Sequence, residues 1–153
     1  MTVSIIGKAV SLLNALAFGN VTGLTANSIP YANSSGLTQD NANLSYDGSI
    51  LTAKAGKRDK VRVVVAAGAV TVGTDDYIVV VNKTVGAATT VNLPAGVTGQ
   101  VFIIKDGKGD AGTNNITIDG NAAETIDGTA TKVISTNYNS AMIVWNGTEW
   151  NVI

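Results

Sequence analysis

From residue 61 onward the chain repeats one pattern: a short run of β-branched or apolar residues, then a gap marked by Gly, Asp or Asn. The runs recur about every 8–14 residues. No stretch between these gaps is long enough for a stable helix, so this half must be built from short strands and turns. The predicted strands are Val61–Ala66, Ala69–Val72, Tyr77–Val81, Thr89–Leu93, Val101–Lys105, Asn115–Ile118, Lys132–Ser135, Ala141–Trp145 and Glu149–Val152. Asp106-Gly107, Asp119-Gly120, Asp127-Gly128 and Asn146-Gly147 supply turn chemistry between them, and Ala67-Gly68 separates the first two. The last pair reads most plainly as a hairpin, with Trp145 and Trp150 facing each other across Asn146-Gly147-Thr148. Both tryptophans are therefore expected in the core. Alternating pieces such as Val91-Asn92-Leu93 occur beside continuous ones such as Val101-Phe102-Ile103-Ile104. Both suit a compact antiparallel β-sandwich or barrel-like domain.

The chain before residue 61 has a different character. Val3 to Phe18 carries apolar residues at steps of three and four, namely Ile5, Ile6, Ala9, Leu12, Leu13 and Leu16. This predicts an amphipathic helix or arm that ends at Gly19-Asn20. It is too short for a comfortable membrane span, and Lys8 and Asn14 interrupt it as a secretion signal. From Val21 to Ala53 only brief fragments remain, carrying Ile29, Tyr31, Leu37, Leu44, Tyr46 and Leu51. Fragments this short lose more chain entropy than their burial returns. They become stable when several copies wrap together, so the segment is expected to form an intertwined neck. Residues 54–60 read as a linker, and the basic group Lys54, Lys57, Arg58, Lys60 and Arg62 as a solvated face. The expected organisation is an anchor over 1–20, a neck and linker over 21–60 and a sandwich-like head over 61–153.

Chemistry is sparse. The chain has no Cys and no His, which removes disulfides, thiol nucleophiles, the usual transition-metal ligands and the commonest general base. A net charge of -1 provides no field for nucleic acid. Charged residues are only 14% of the chain, which suits a tightly sheeted, self-associating protein. The carboxylates Asp75, Asp76, Asp119, Glu124 and Asp127 could in principle pair for glycoside hydrolysis, but most sit at turn positions where Asp serves the backbone. Asp106-Gly107-Lys108-Gly109-Asp110-Ala111-Gly112 looks metal-like, yet Lys108 stands where a ligand belongs and no Glu closes the loop. It reads instead as a glycine-rich hairpin connection. Asp106, Lys108, Asp110 and Asn114 then become candidates for a surface binding loop. No catalytic residue, metal site or cofactor is expected.

Two stretches resemble phage virion fibre proteins. Gly23–Tyr31 and Gly36–Asp47, with Leu37-Thr38-Gln39-Asp40-Asn41 and Tyr46-Asp47, are similar to units found in tail fibres. Asp76-Tyr77, Val91-Asn92-Leu93-Pro94, Ile103-Ile104-Lys105-Asp106, Ala111–Ile118, Thr125–Gly128 and Trp145–Trp150 are similar to a small β domain at the ends of tail and head fibres. The resemblance implies a homotrimeric appendage on a virus particle, with no enzyme activity. With only about one neck unit, the expected form is a short head fibre or capsid decoration protein. Its partners would be its own copies and a capsid or tail protein. The alternative is a tail fibre or adhesin tip that binds a host surface glycan; neither nucleic acid nor membrane is expected as a partner.

Overall fold

The computed structural model describes residues 28–33, 36–46, 49–54 and 56–153, and side chains from residue 49 onward. The expected helix with Ile5, Ile6, Ala9, Leu12, Leu13 and Leu16 lies outside the described residues, as do the side chains of Ile29, Tyr31, Leu37, Leu44 and Tyr46. The described chain is all strand and loop, and it divides into two compact units at residues 58 and 59.

The described part of the first unit is a three-stranded antiparallel sheet: β1 (Ser28–Asn33), β2 (Gly36–Tyr46) and β3 (Leu51–Ala53), in that order. Ile29 pairs with Asp40 and Asn33 with Gly36, while Leu44 pairs with Ala53 and Tyr46 with Leu51. Pro30 is tolerated because β1 is an edge strand, where a missing N–H need break no ladder. Two fragments that look separate in the sequence, around Leu37 and Leu44, belong to one strand. Asp40–Asn43, rich in Asp and Asn, lies between them, and its backbone stays extended within β2.

The second unit is a two-sheet sandwich. One sheet holds β4 (Val61–Val64), β6 (Ile78–Val81), β8 (Val101–Asp106), β11 (Ser140–Trp145) and β12 (Trp150–Val152), ordered β12-β11-β8-β6-β4. The other holds β5 (Val70–Thr71), β7 (Thr89–Asn92), β9 (Ile116–Asp119) and β10 (Thr131–Ile134), ordered β10-β9-β7-β5. Each predicted strand of this unit is found, with ends within one or two residues.

The expectation of an antiparallel sandwich needs one correction, because the sheets are mixed. β4, β6 and β8 run parallel to one another, as do β5, β7 and β9; antiparallel pairing is confined to β9–β10, β8–β11 and β11–β12. The cause is the route of the chain. From β4 to β9 successive strands alternate between the two sheets, so each sheet receives every second strand in the same direction. Parallel neighbours need a long crossover, and here the intervening strand of the opposite sheet is that crossover. Val61 and Ile78, seventeen positions apart, are register partners for this reason. The turn at Ala67-Gly68, with Gly68 at φ 95°, therefore passes the chain between sheets and closes no hairpin.

The core lies between the sheets. Val79, Val81, Phe102, Ile104, Ala141, Ile143 and Trp145 face Val70, Val91, Ile116, Ile118 and Ile134, and all are buried. Trp150 is fully buried at the centre of an aromatic cluster, 5.5 Å from the Phe102 ring and 5.4 Å edge-on from Trp145. Its Nε1–H donates to Glu124 Oε2 at 3.0 Å, while Glu124 Oε1 accepts the Gly96 N–H at 2.9 Å. A buried indole thus keeps its polar handle satisfied. Gly96 is required where it stands, since a Cβ there would come within 2.1 Å of the Trp145 ring.

Candidate functional site: an apolar sheet face and a loop platform

Alternation along a strand sends every second side chain away from the core, and the outward faces of the two sheets differ sharply. On the four-stranded sheet the outward positions are Thr71, Thr90, Asn92, Thr117, Asp119, Thr131 and Val133, almost all polar. On the five-stranded sheet the register aligns Val61, Ile78, Ile103 and Met142 in one outward row. Ile153 extends it, with its N–H donating to the Met142 carbonyl at 2.9 Å. A second row runs Val63, Val80, Lys105 and Ser140, and a third Val101, Val144 and Asn151. Val61 and Val63 on the edge strand are 54% and 53% exposed. Ile153 is exposed as well, while Ile78, Val80, Val101, Ile103, Met142 and Val144 are half-buried. Strands that carry apolar side chains on both faces have a core on both faces in most proteins. The continuous runs Ile78–Val81 and Val101–Ile104 are the sequence trace of this face.

The polar end of this face leads into a cluster of loops. Asp106, expected on the surface of the binding loop, lies inside it at 1% exposure. Its Oδ1 accepts the Gly109 N–H at 2.9 Å, and its Oδ2 accepts the N–H groups of Ala111 at 3.1 Å and Tyr138 at 2.9 Å. Burial opposes its ionisation, but the amides of Tyr138, Ala111, Gly109 and Lys108 together outweigh that effect and hold the carboxyl below its ordinary range. Asp106 is thus the organiser of the loop. The loop also joins strands of different sheets, β8 and β9, and so is not the hairpin connection the glycines suggested.

The other three candidates do gather. Asp110 Oδ2 accepts from Asn114 Nδ2 at 2.9 Å, and Lys108 Nζ donates to the Thr84 carbonyl at 3.2 Å. All three pack against the backbone at Gly86, where a Cβ would meet Asp110 Oδ2 at 2.6 Å and Asn114 Nδ2 at 2.8 Å. Sequence reasoning missed Tyr138, whose ring lies against Gly109 of the same β8–β9 loop. It is 66% exposed and held at φ 60°, a backbone region costly for a bulky residue. Three contacts impose that geometry: the Asp106 bond to its N–H, a bond from Lys105 Nζ to its carbonyl, and its ring lying against Gly109. A Cβ on Gly109 would fall 2.1 Å from the tyrosine ring. Lys105 Nζ sits 5.8 Å from the ring centroid. No local signal marked Tyr138, because its anchors are distant in sequence.

The carboxylates weighed for hydrolysis are mostly engaged in structure. Asp76 pairs with Arg62 Nε at 3.0 Å and Lys60 at 3.3 Å, and accepts the Gly73 N–H at 2.9 Å. Asp75 bonds Lys60 at 2.7 Å, and that side-chain bond lowers its pKa. Glu124 serves Trp150 and Gly96, and Asp127 Oδ1 accepts the Val152 N–H at 3.1 Å. Asp119 stands on the outward face of β9, paired in register with Thr131.

Comparison with protein families bears on what such a sandwich is for. Residues 61–151 match the family model described as the phage depolymerase C-terminal beta sandwich domain. The chain belongs to this family. The match spans most of the two-sheet unit and covers more than half of the chain. No curated protein matches the chain. Membership agrees with the mainly-β sandwich read from the sequence and indicates a phage fibre-type protein.

Proposed function

We propose that the chain is a non-enzymatic structural protein of a phage virion appendage, working as a homotrimer. The sandwich is its head, and residues 1–20 attach it to the particle. The family membership of residues 61–151 supports this reading, because the family is described as a C-terminal beta sandwich domain of phage depolymerases. Two observations support it. Asp76, Glu124 and Asp127 serve backbone amides, an indole and a basic side chain, which leaves these carboxylates little for acid–base work. Leu51, one of the expected neck contacts, is exposed in the single chain and available for burial between copies. Sedimentation analysis of the full chain should give three times the 15.6 kDa chain mass, and a monomer at micromolar concentration would overturn the homotrimer. Imaging of labelled protein on particles separates a short head fibre or capsid decoration protein from a tail fibre. Protein absent from particles overturns the virion role.

A second reading is favoured by Tyr138: an adhesin tip that binds a host surface glycan. An exposed aromatic ring held in a strained backbone conformation by buried supports is a feature that clusters at ligand sites. Asp110 and Asn114 carry hydrogen-bonding groups on the β8–β9 loop, whose Gly109 lies against the Tyr138 ring. A glycan-array signal that disappears in Tyr138→Ala supports this reading; an array signal unchanged by the substitution, or none at all, removes it.

A further inference from the structure

We infer that Asn146 is a site of covalent self-modification, losing its side-chain amide to attack by the backbone of Gly147, and that the closing hairpin holds this reaction back while it stays folded. The inference is independent of the virion and glycan readings above. Asn-Gly occurs once in the chain, at 146–147. A backbone nitrogen can reach the side-chain carbonyl of the Asn before it only if its own residue leaves room, and glycine, without a Cβ, hinders that approach least. The position is open as well. Asn146, Gly147 and Thr148 are all exposed, and beyond its chain neighbours a Cβ on Gly147 would meet only Thr98 Oγ1, at 3.3 Å.

The chemistry balances with water as the only co-reactant. The Gly147 nitrogen bonds to Asn146 Cγ, the Cγ–Nδ2 bond breaks, and Nδ2 leaves as ammonia with the proton that Gly147 gave up. Water then opens the resulting cyclic imide at either carbonyl. One opening leaves aspartate at 146. The other leaves isoaspartate, in which the chain runs through the former side chain and gains a backbone carbon. That carbon would lie between Trp145 and Gly147, so a hairpin that has reacted no longer closes Trp145 onto Trp150 in the same register.

The folded hairpin opposes the first step by holding both ends of the amide. Asn146 Oδ1 accepts the N–H groups of Thr148 at 2.8 Å and Glu149 at 3.0 Å, and Nδ2 donates to Asn151 Oδ1 at 2.6 Å. The backbone is fixed too: the Asn146 N–H donates to the Glu149 carbonyl at 3.1 Å, and Gly147 stands at φ 104°. Bringing Cγ onto the Gly147 nitrogen means rotating the Asn146 side chain or the peptide that follows it, and either rotation breaks these bonds. Two of the three side-chain bonds end on the backbone of the turn and the third on β12, a three-residue strand at the edge of its sheet. The amide is therefore released when β12 and the turn part from β11, a local opening that needs no unfolding of the whole sandwich.

The test incubates the full-length protein in native buffer and in denaturant. Mass spectrometry of the digested chain follows amide loss at each asparagine, and isoaspartyl methyltransferase labelling detects the rearranged product. Each of the three hydrogen bonds is worth a factor of about five, so conversion at 146 should be at least about 10-fold faster in denaturant than in native buffer. Asn151→Ala removes one of the three, and should raise the native rate about five-fold while leaving the denatured rate unchanged. Equal rates in native and denatured protein would overturn the gating. Conversion in denaturant that is no faster at 146 than at Asn114 or Asn139 would overturn the assignment of the site. A folded Asn151→Ala protein, judged by its tryptophan emission, that reacts no faster than the unsubstituted one would overturn the hold ascribed to the amide bonds. Should Asn151→Ala fail to fold, the ratio of denatured to native rates in the unsubstituted protein still decides.

Discussion

Asp106→Asn is the substitution that tests the loop architecture most directly. The carboxylate serves three backbone amides from inside the protein, one through Oδ1 and two through Oδ2. Asparagine has a single acceptor oxygen. In its better orientation that oxygen keeps Ala111 and Tyr138, while its NH2 group faces the Gly109 N–H as one donor against another. Two charge-assisted bonds become neutral, at about 1 kcal/mol each, and one amide is orphaned, at about 1–3 kcal/mol. The expected loss is about 3–5 kcal/mol, against a total of about 5–15 kcal/mol for a typical domain. For a domain of this size each kcal/mol is worth about 4–8 °C, so the melting point should fall by at least about 12 °C. Both tryptophans of the chain lie in this unit, so their fluorescence follows its unfolding directly.

The pH dependence gives a second readout. The folded-state pKa of Asp106 is lowered, so its contribution is present above the unfolded value of about 3.9 and is lost as pH falls through the folded value. The stability gap between the unsubstituted protein and Asp106→Asn should therefore be full at pH 7 and shrink below pH 4. A melting point for the variant within about 4 °C of the unsubstituted protein at pH 7 would refute the argument. So would a gap that does not narrow in acid.

Three further outcomes are expected. Gly96→Ala forces a methyl to within 2.1 Å of the Trp145 ring, and chemical denaturation should show a loss of about 1–3 kcal/mol from overpacking. Glu124→Gln leaves one acceptor to serve both Trp150 Nε1 and the Gly96 N–H; a loss of about 1–3 kcal/mol and a shifted tryptophan emission are expected in equilibrium unfolding. At position 138, held at φ 60°, Gly should be more stable than Ala by about 1–2 kcal/mol in thermal melts, and equal stabilities would argue against backbone strain there.

Much of the loop platform was hidden from sequence reading for one physical reason. Lys108, Asp110 and Asn114 sit within one short stretch, so proximity could be guessed. Tyr138 is tied to that loop through Asp106, thirty-two positions earlier, which accepts its backbone N–H, and through Gly109, against which its ring lies. Asp106 itself looked like a surface ligand, since an Asp before a Gly usually marks a solvent-facing turn. Its inward turn is set by the three amides that converge on it after the loop closes. The apolar face was nearer to being legible. A strand that is apolar at consecutive positions needs cover on both sides, and Val101-Phe102-Ile103-Ile104 is such a strand.

What the sequence determined by itself was the local grammar of the sandwich: strands where β-branched runs lie between Gly, Asp and Asn, and a closing hairpin that brings Trp145 against Trp150. These depend on φ/ψ preferences and on neighbours a few residues away. Tertiary structure alone decided which sheet each strand joins. A turn such as Ala67-Gly68 can either fold a strand back on its predecessor or carry it across to the opposite layer, and its residues are compatible with both. The choice is made by hydrogen-bond partners seventeen or more positions distant. It is this routing that sets β4, β6 and β8 side by side and turns three separate apolar runs into one continuous outward face.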